Sequence, residues 1–546
     1  MIPYKSPLEA FLHWEKTTPD KAFLKQPING KTTVYTFKEA GIEARKLAAA
    51  INKYNFPIQS HIGLLSKNCV HWIISDLAIM MSGHVSIPIY PSLTAEAIHQ
   101  ILEHSESKAI IIGKLDNFES QKSGIPNIPK ISVGLYGENE GELYEDLLLK
   151  NEPLEDVYMP ESDNLHTIIY TSGTTGAPKG VMHTVGNFVE SLNVINSGLK
   201  LKEGSRFFSY LPLAHVAERV GIESYGILLG AEISFPESLE SFPGDLEACQ
   251  PELFFAVPRI WAKFQEKILE KMPQNKLNTL LSIPLLNRLI KNKLKQKLGL
   301  KHAQIIISGA APLSVSLMKW FKKLDIEILQ GYGMTEDCII SHINLPEANK
   351  IGTVGKKLDG VTIKLSTEGE ILIKNKCLMT GYYKEPLITE EVFENGFFKT
   401  GDIGEYDHEG YLTITGRIKD QFKTDKGKYI SPTPIELQLS SNADIQQICV
   451  VGTGIPQPIA LITLSELGKE KSKEAISTAL IKSITALNKT LEKHEKIEKV
   501  VIMKEDWTVD NGLATPTLKV KRNAIEKIHQ PYYKSWFEQI DTVIFE

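Results

Sequence analysis

The first third of the chain alternates short apolar runs with amphipathic segments. His61–Leu65 reads as a strand, Trp72–Met81 as a helix and Val85–Ile89 as another strand. Over Ala95–His104 the residues Ile98, Ile101 and Leu102 share one helical face, and Thr94 stands where an N-cap belongs. Ala109–Ile112 closes the series as a strand. The rhythm returns over Gln304–Ile307, Leu313–Lys323 and Ile326–Leu329. Strands that alternate with helices predict an α/β fold in which helices sandwich sheets.

From about Val361 the texture changes. Short alternating strands, at Thr362–Leu365, Glu370–Ile373 and Tyr411–Thr415, are broken by Gly, Asp and Asn. They predict a β-rich subdomain over about 350–416 at the end of a large N-terminal domain, 1–416. The polar stretch Gly416–Asp420 separates two foldable regions and marks the main boundary, with 417–420 as hinge. Residues 421–546 suffice for a small α+β domain. Its predicted parts are a helix near Pro434–Ser440, strands at Ile448–Val451 and Ala460–Leu464, and a helix over Lys471–Asn488.

Composition narrows the class. A chain of 546 residues holds several domains or subdomains, and 42% apolar with 23% charged residues describes an ordinary folded protein. A net charge of -5 gives no reason to expect nucleic acid. Cys69, Cys249, Cys338, Cys377 and Cys449 lie far apart without paired spacing, which argues against disulfides and zinc and for a reducing cytoplasm. No stretch reaches a membrane-spanning length, and the opening residues show no signal-peptide pattern, so any membrane contact is expected to be peripheral, on the inner face. One local anomaly stands out: Lys263–Lys301 carries ten Lys or Arg and two Glu, interleaved with Leu and Ile. It is either a solvated helix face or a cationic patch that rests on an anionic membrane.

The chemistry concentrates in a few segments. Tyr170-Thr171-Ser172-Gly173-Thr174-Thr175-Gly176-Ala177-Pro178-Lys179-Gly180 leaves an apolar strand run. Glycines let backbone N–H groups approach a ligand, and hydroxyls plus one lysine suit a polyphosphate. It is not a Walker loop. The segment resembles the phosphate loop of the adenylate-forming superfamily, which includes acyl-CoA synthetases, peptide-synthetase adenylation domains and beetle luciferases. Further motifs resemble that family in order: Ser308-Gly309-Ala310-Ala311-Pro312-Leu313, Gly331-Tyr332-Gly333-Met334-Thr335-Glu336, Thr400-Gly401-Asp402, Gly416-Arg417-Ile418-Lys419-Asp420 and Pro516-Thr517-Leu518-Lys519-Val520-Lys521-Arg522. The family usually has Gly where Leu518 stands.

The resemblance implies ATP, Mg2+ and CoA as reactants or cofactor, and a role for each matched residue. Thr171 to Gly176 and Lys179 would cradle phosphates, and Gly309, Ala310 and Ala311 would pass the adenine. Tyr332, flanked by Gly331, Gly333 and Thr335, would stack on it. Glu336, with Thr171, would meet magnesium. Asp402 and Arg417 would hold ribose or phosphate oxygens. Lys519 would be the catalytic lysine, delivered by rotation at Lys419. No protein nucleophile is implied.

Tyr210–Arg219 and Val257–Trp261 are similar to the long-chain branch, which implies a fatty acid substrate and acyl-CoA as product. His215 is either a gate residue between nucleotide and acyl chain or a structural histidine. The glycine-rich stretch Gly221–Gly230 is expected to line an apolar channel. The loop Phe422–Pro432 resembles one that faces nucleotide and CoA, so Tyr429 is expected among the nucleotide contacts, while Lys423, Lys426 and Lys428 either meet CoA phosphates or are simply solvated. Rival readings are a ligase that hands acyl-AMP to a carrier protein, a luciferase-like oxidase, and a non-catalytic lipid- or nucleotide-binding relative.

Overall fold

The computed structural model describes residues 2–172, 178–515, 517 and 519–546, with the Ser172 side chain left out of the description. Two large sheets carry the N-terminal part. One has eight strands, with His61–Leu65, Val85–Ile89, Ala109–Ile112 and Leu165–Ser172 running parallel at its centre. The other has nine, with Arg206–Phe208, Leu253–Ala256, Ile305–Ser308 and Leu329–Tyr332 forming its parallel middle.

Local sequence explains the helices between them. Helix Phe37–Asn52 starts in a capping box, Thr36 accepting from the Glu39 amide while Glu39 accepts from that of Thr36. Helix Val70–Met81 is buried at every position, as its almost wholly apolar sequence requires. Helix Ala95–His104 has Thr94 as its N-cap and buries Ile98, Ile101 and Leu102, the face expected from spacing.

A five-stranded antiparallel sheet follows, built on Thr362–Leu365, Glu370–Lys374, Phe397–Tyr406 and Leu412–Arg417. The tail folds around a four-stranded sheet, Ile445–Val451, Ile459–Leu464, Lys499–Ile502 and Val543–Phe545. Helix Lys473–Leu487 packs Ile476, Leu480, Ile484 and Leu487 on its core. The mixed α/β architecture with a large N-terminal and a small C-terminal part agrees with the expected class.

One expected strand is displaced. The strand expected at Ile326–Leu329 lies at Leu329–Tyr332, because the preceding apolar residues Ile326 and Ile328 are buried outside the ladder. The Gly221–Gly230 stretch is helical, with a wide π turn at Arg219–Ser224 leading into Tyr225–Leu228. All five cysteines are buried and unbridged. Among the described residues, no helix is long and apolar enough to cross a membrane.

Candidate active site

A cleft of about 1830 Å3 runs between the C-terminal ends of the central strands and the small C-terminal part. Thr171 and Lys179 line it from one hairpin, where they pair across strands Leu165–Ser172 and Pro178–Thr184. Gly173, Thr174, Thr175 and Gly176, expected to cradle phosphate, lie outside the described residues. Gly309, Ala310 and Ala311 line the cleft just past strand Ile305–Ser308, with Ala310 in the left-handed region at φ +64°. Gly331 and Tyr332 end strand Leu329–Tyr332 in the same cleft, and Gly333, Thr335 and Glu336 follow it there. A side chain at Gly333 has no room, since a Cβ would come within 1.8 Å of the Ile339 carbonyl oxygen.

Asp402 is held from two sides in the cleft. Its Oδ1 accepts from Arg417 Nε at 2.7 Å and its Oδ2 from the Tyr332 hydroxyl at 2.8 Å. Its amide donates to Thr400 Oγ1, and Gly401 supplies the left-handed turn at φ +71°. Asp402 stands directly across the strand pair from Arg417. The aspartate beside it raises the Arg417 pKa, and burial with Asp402 raises that of Tyr332. Both groups therefore hold their protons at any working pH.

Glu336 accepts from the Tyr382 hydroxyl at 2.8 Å, and Lys179 Nζ lies 5.2 Å from the centroid of the same ring. Burial and the neighbouring Glu336 raise the Tyr382 pKa, so it stays a donor. Tyr382 belongs to no motif singled out in the sequence. Its only local signal is the Gly-Tyr-Tyr run, and its part in the site is set by strand Gly381–Tyr382 pairing with strand Pro178–Thr184. His183, in that last strand, was missed as well. Burial pushes it down to about 4, and the neutral ring donates from Nε2 to the Thr335 carbonyl at 2.7 Å. It thus fastens the phosphate-side hairpin to the turn that carries Glu336.

His215 caps a short helical turn, its Nδ1 accepting from the Ala217 amide at 3.2 Å. That bond puts the proton on Nε2. Burial, with the positive charge of Lys519 nearby, pushes its pKa down to about 3. The imidazole is therefore a neutral N–H donor lining the cleft, which serves structure and site together.

Lys519 enters from the opposite side. Its loop is closed by the Thr515 amide on the Lys519 carbonyl, the Lys519 amide on Thr515 Oγ1, and an Ala514–Val520 bridge. Arg522 secures the base of this loop by donating to Glu436 and to the Val450 carbonyl. The lysine keeps contact with solvent in the open cleft, yet the surrounding protein and the Arg417 charge bring it down to about 8, against the pull of Asp402 and Glu336.

Beyond the polar groups the cleft wall turns apolar. Ile195, Leu199, Val216, Ala217, Gly221, Ile222, Ile339 and Ile340 line it. Of the stretch Gly221–Gly230, Gly221 and Ile222 are the lining residues. A Cβ at Gly221 would meet Ile339 Cδ1 at 3.1 Å, so the glycine lets Ile339 pack closely against this part of the wall. Tyr429 is not brought to the cleft in this arrangement. It stands 64% exposed on a hairpin, with Lys423 Nζ 5.6 Å from its ring centroid. Lys426 and Lys428 are exposed on the same hairpin.

Residues 11–383 match the family model described as AMP-binding enzyme, and residues 419–540 match the AMP-binding enzyme C-terminal domain. This chain belongs to the AMP-binding enzyme family. Long chain acyl-CoA synthetase 5 of Arabidopsis thaliana is 30% identical, over 92% of this chain and 87% of that one. A long-chain-fatty-acid–CoA ligase of Mycobacterium bovis is 29% identical, over 94% and 93%. The adenylation domain of a Mycobacterium chelonae carboxylate reductase shares the fold, with TM-score 0.83 at 20% identity over 98% of this chain and 92% of that one. With these relatives, this AMP-binding enzyme is an ATP-dependent acid–thiol ligase.

Proposed function

We propose that this AMP-binding enzyme is a long-chain fatty acid–CoA ligase, joining a fatty acid to CoA through an acyl-adenylate while ATP becomes AMP and diphosphate. The observation that carries this reading is one continuous cleft. It gathers Lys179, Glu336, Asp402, Arg417 and Lys519 at its polar end and runs into the wall around Gly221 and Ile222.

In the first half-reaction a carboxylate oxygen bonds to the α-phosphorus and the bond to diphosphate breaks. Negative charge grows on phosphate oxygens, and preorganised cations stabilise it. Lys179 and Lys519 stand on opposite sides of the cleft for this task. Asp402 and Arg417 clamp the ribose side, with Tyr332 beside them. Magnesium, when bound, neutralises phosphate charge. Glu336, already aligned by Tyr382, with the Thr171 hydroxyl, forms the oxygen set that would hold it. One carboxylate beside substrate phosphates and water is a ligand set that suits this ion. Among the described residues, no cluster of three or more His, Cys, Asp or Glu forms an alternative metal site.

In the second half-reaction the CoA thiol attacks the acyl carbonyl and AMP leaves. The adenylate is itself a good leaving group, so no protein nucleophile is needed. The buried cysteines fit that economy: burial pushes the Cys249, Cys377 and Cys449 thiols up to about 12, far from reactive thiolates. The Lys519 arm serves the first step and rotates away at Lys419 for the second, a conformational step of the kind that can limit turnover.

Chain-length preference follows from the apolar wall, since each buried CH2 contributes about 0.8 kcal/mol. Diphosphate release across acetate, octanoate, palmitate, oleate and benzoate, with and without CoA, tests the proposal. Palmitate or oleate is expected to lead, with acyl-CoA formed in the absence of any carrier protein. A preference for acetate or benzoate would refute the fatty-acid reading. Acyl-AMP that never transfers to CoA would refute the ligase acceptor.

A further inference from the structure

The basic stretch Lys263–Lys301 takes no part in the cleft. It forms three helices, Pro258–Lys271, Gln274–Ser282 and Pro284–Lys297. The third has two unlike faces. Ile290 and Leu294, with Leu298 just beyond, turn inward and pack on the core that holds Trp261, Leu277 and Phe321. On that inner side the cations are paired, Lys291 with Asp325 at 3.0 Å and Lys297 with Glu247 at 2.9 Å.

The outer face is different. Leu285 and Leu289, one turn apart, are 83% and 65% exposed, and Ile283 and Leu286 are exposed beside them. Arg288 and Lys293 flank this apolar row at neighbouring helical positions. Among the described residues, neither has a carboxylate partner, nor do Lys263, Lys271 and Lys276 on the two preceding helices. Other strongly exposed apolar residues, such as Leu149, Leu239, Leu387 and Ile540, come from separate parts of the chain. A contiguous apolar row rimmed by unpaired cations has no stabilising role within the monomer, where each exposed leucine is a solvation cost.

We propose that the outer face of helix Pro284–Lys297 docks on an anionic lipid bilayer. Leu285 and Leu289 enter the boundary between headgroups and acyl chains, while Arg288, Lys293 and the lysines before them meet lipid phosphates. The charge of the rim selects a negatively charged surface, and the row of leucines selects one with an apolar layer beneath it. A bilayer supplies both. The inference stands apart from the choice of acid substrate, because it concerns a face remote from the reacting groups.

Co-sedimentation of the full chain with phosphatidylcholine vesicles, with and without phosphatidylglycerol, tests it. The chain is expected to bind the anionic vesicles and to be released by salt. The pair Leu285→Asp and Leu289→Asp is expected to abolish binding. The pair Arg288→Glu and Lys293→Glu is expected to weaken it by at least about tenfold, each charge near the surface contributing on the order of 1 kcal/mol. Both double variants alter exposed positions and should keep the diphosphate release measured with soluble octanoate, which controls for folding. Equal partition into neutral and anionic vesicles would overturn the proposal. So would variants that bind as the parent does, or variants whose only change is a shift in oligomeric state by light scattering, which would assign the face to a second copy of the chain.

Discussion

The two sides of the cleft are built on opposite plans. On the large-domain side the acids and the turn beside them are held by other side chains: Asp402 by Arg417 and Tyr332, Glu336 by Tyr382, and the Thr335 carbonyl by His183. On the other side Lys519 rides a short loop closed by its own backbone and by Thr515, with its side chain open to solvent. A nucleotide site gains from rigidity, since preorganised groups need not rearrange as charge develops. A group needed for one of two steps gains from being removable. On the proposed mechanism the contrast would separate binding, by the large domain, from a chemical assist that the small domain brings.

Replacing Lys519 is the hardest test of that division. Lys519→Ala is expected to slow adenylation by at least about 100-fold, the size of losing one charge-stabilising donor, while thioester formation from supplied acyl-AMP survives. Equal loss in both half-reactions would erase the distinction between the two sides. Opposite in kind is Gly221→Leu, which presses a larger side chain against Ile339 where both line the cleft. If about four carbons of substrate lose their burial, palmitate falls behind octanoate by roughly 100-fold in relative kcat/KM, with acetate unaffected. An unchanged palmitate-to-octanoate ratio would place the acyl chain elsewhere.

Tyr382→Phe removes one hydrogen bond to a carboxylate and leaves the ring under Lys179. About tenfold lower adenylation is expected, with the deficit lessened by raised magnesium concentration, which a purely structural role would not produce. The smallest effect is in pH. Lys519 helps only while protonated and sits at about 8, so adenylation kcat/KM should decline as pH rises through about 8. Lys519→Arg should push that decline to higher pH, and thioester formation should show none of it. An alkaline limb common to both steps would assign the titration to another group.

Much of this was legible in the residues. The burial of Ile98, Ile101 and Leu102 and the Thr94 cap follow from local spacing alone. Asp402, Arg417, Glu336 and Lys519 were marked by motifs, and the structure brings them to one cleft. Tyr382 and His183 were not legible, because their roles depend on which strand pairs with which, and that is a property of long-range register. The Tyr332–Asp402 bond joins residues 70 apart in sequence and was invisible for the same reason. Of the Gly221–Gly230 stretch, expected to line an apolar channel, helix packing against the core brings only Gly221 and Ile222 to the cleft. Tyr429 shares a hairpin with Lys423 and Lys428 that is exposed to solvent, an orientation its place in the sequence does not reveal.

Strand Leu412–Arg417 ends on the residue that grips Asp402, and the short turn Ile418–Asp420 begins at the next one. The Asp402 clamp and the proposed pivot are thus adjoining links of one chain. On the proposed mechanism, a swing of the small domain about Lys419 would leave the AMP half of the intermediate fastened to the stationary body, as a door turns without loosening its frame. On the ligase reading, the activated acid waits in place for its thiol, and premature escape into water is resisted by the very joint that permits the motion.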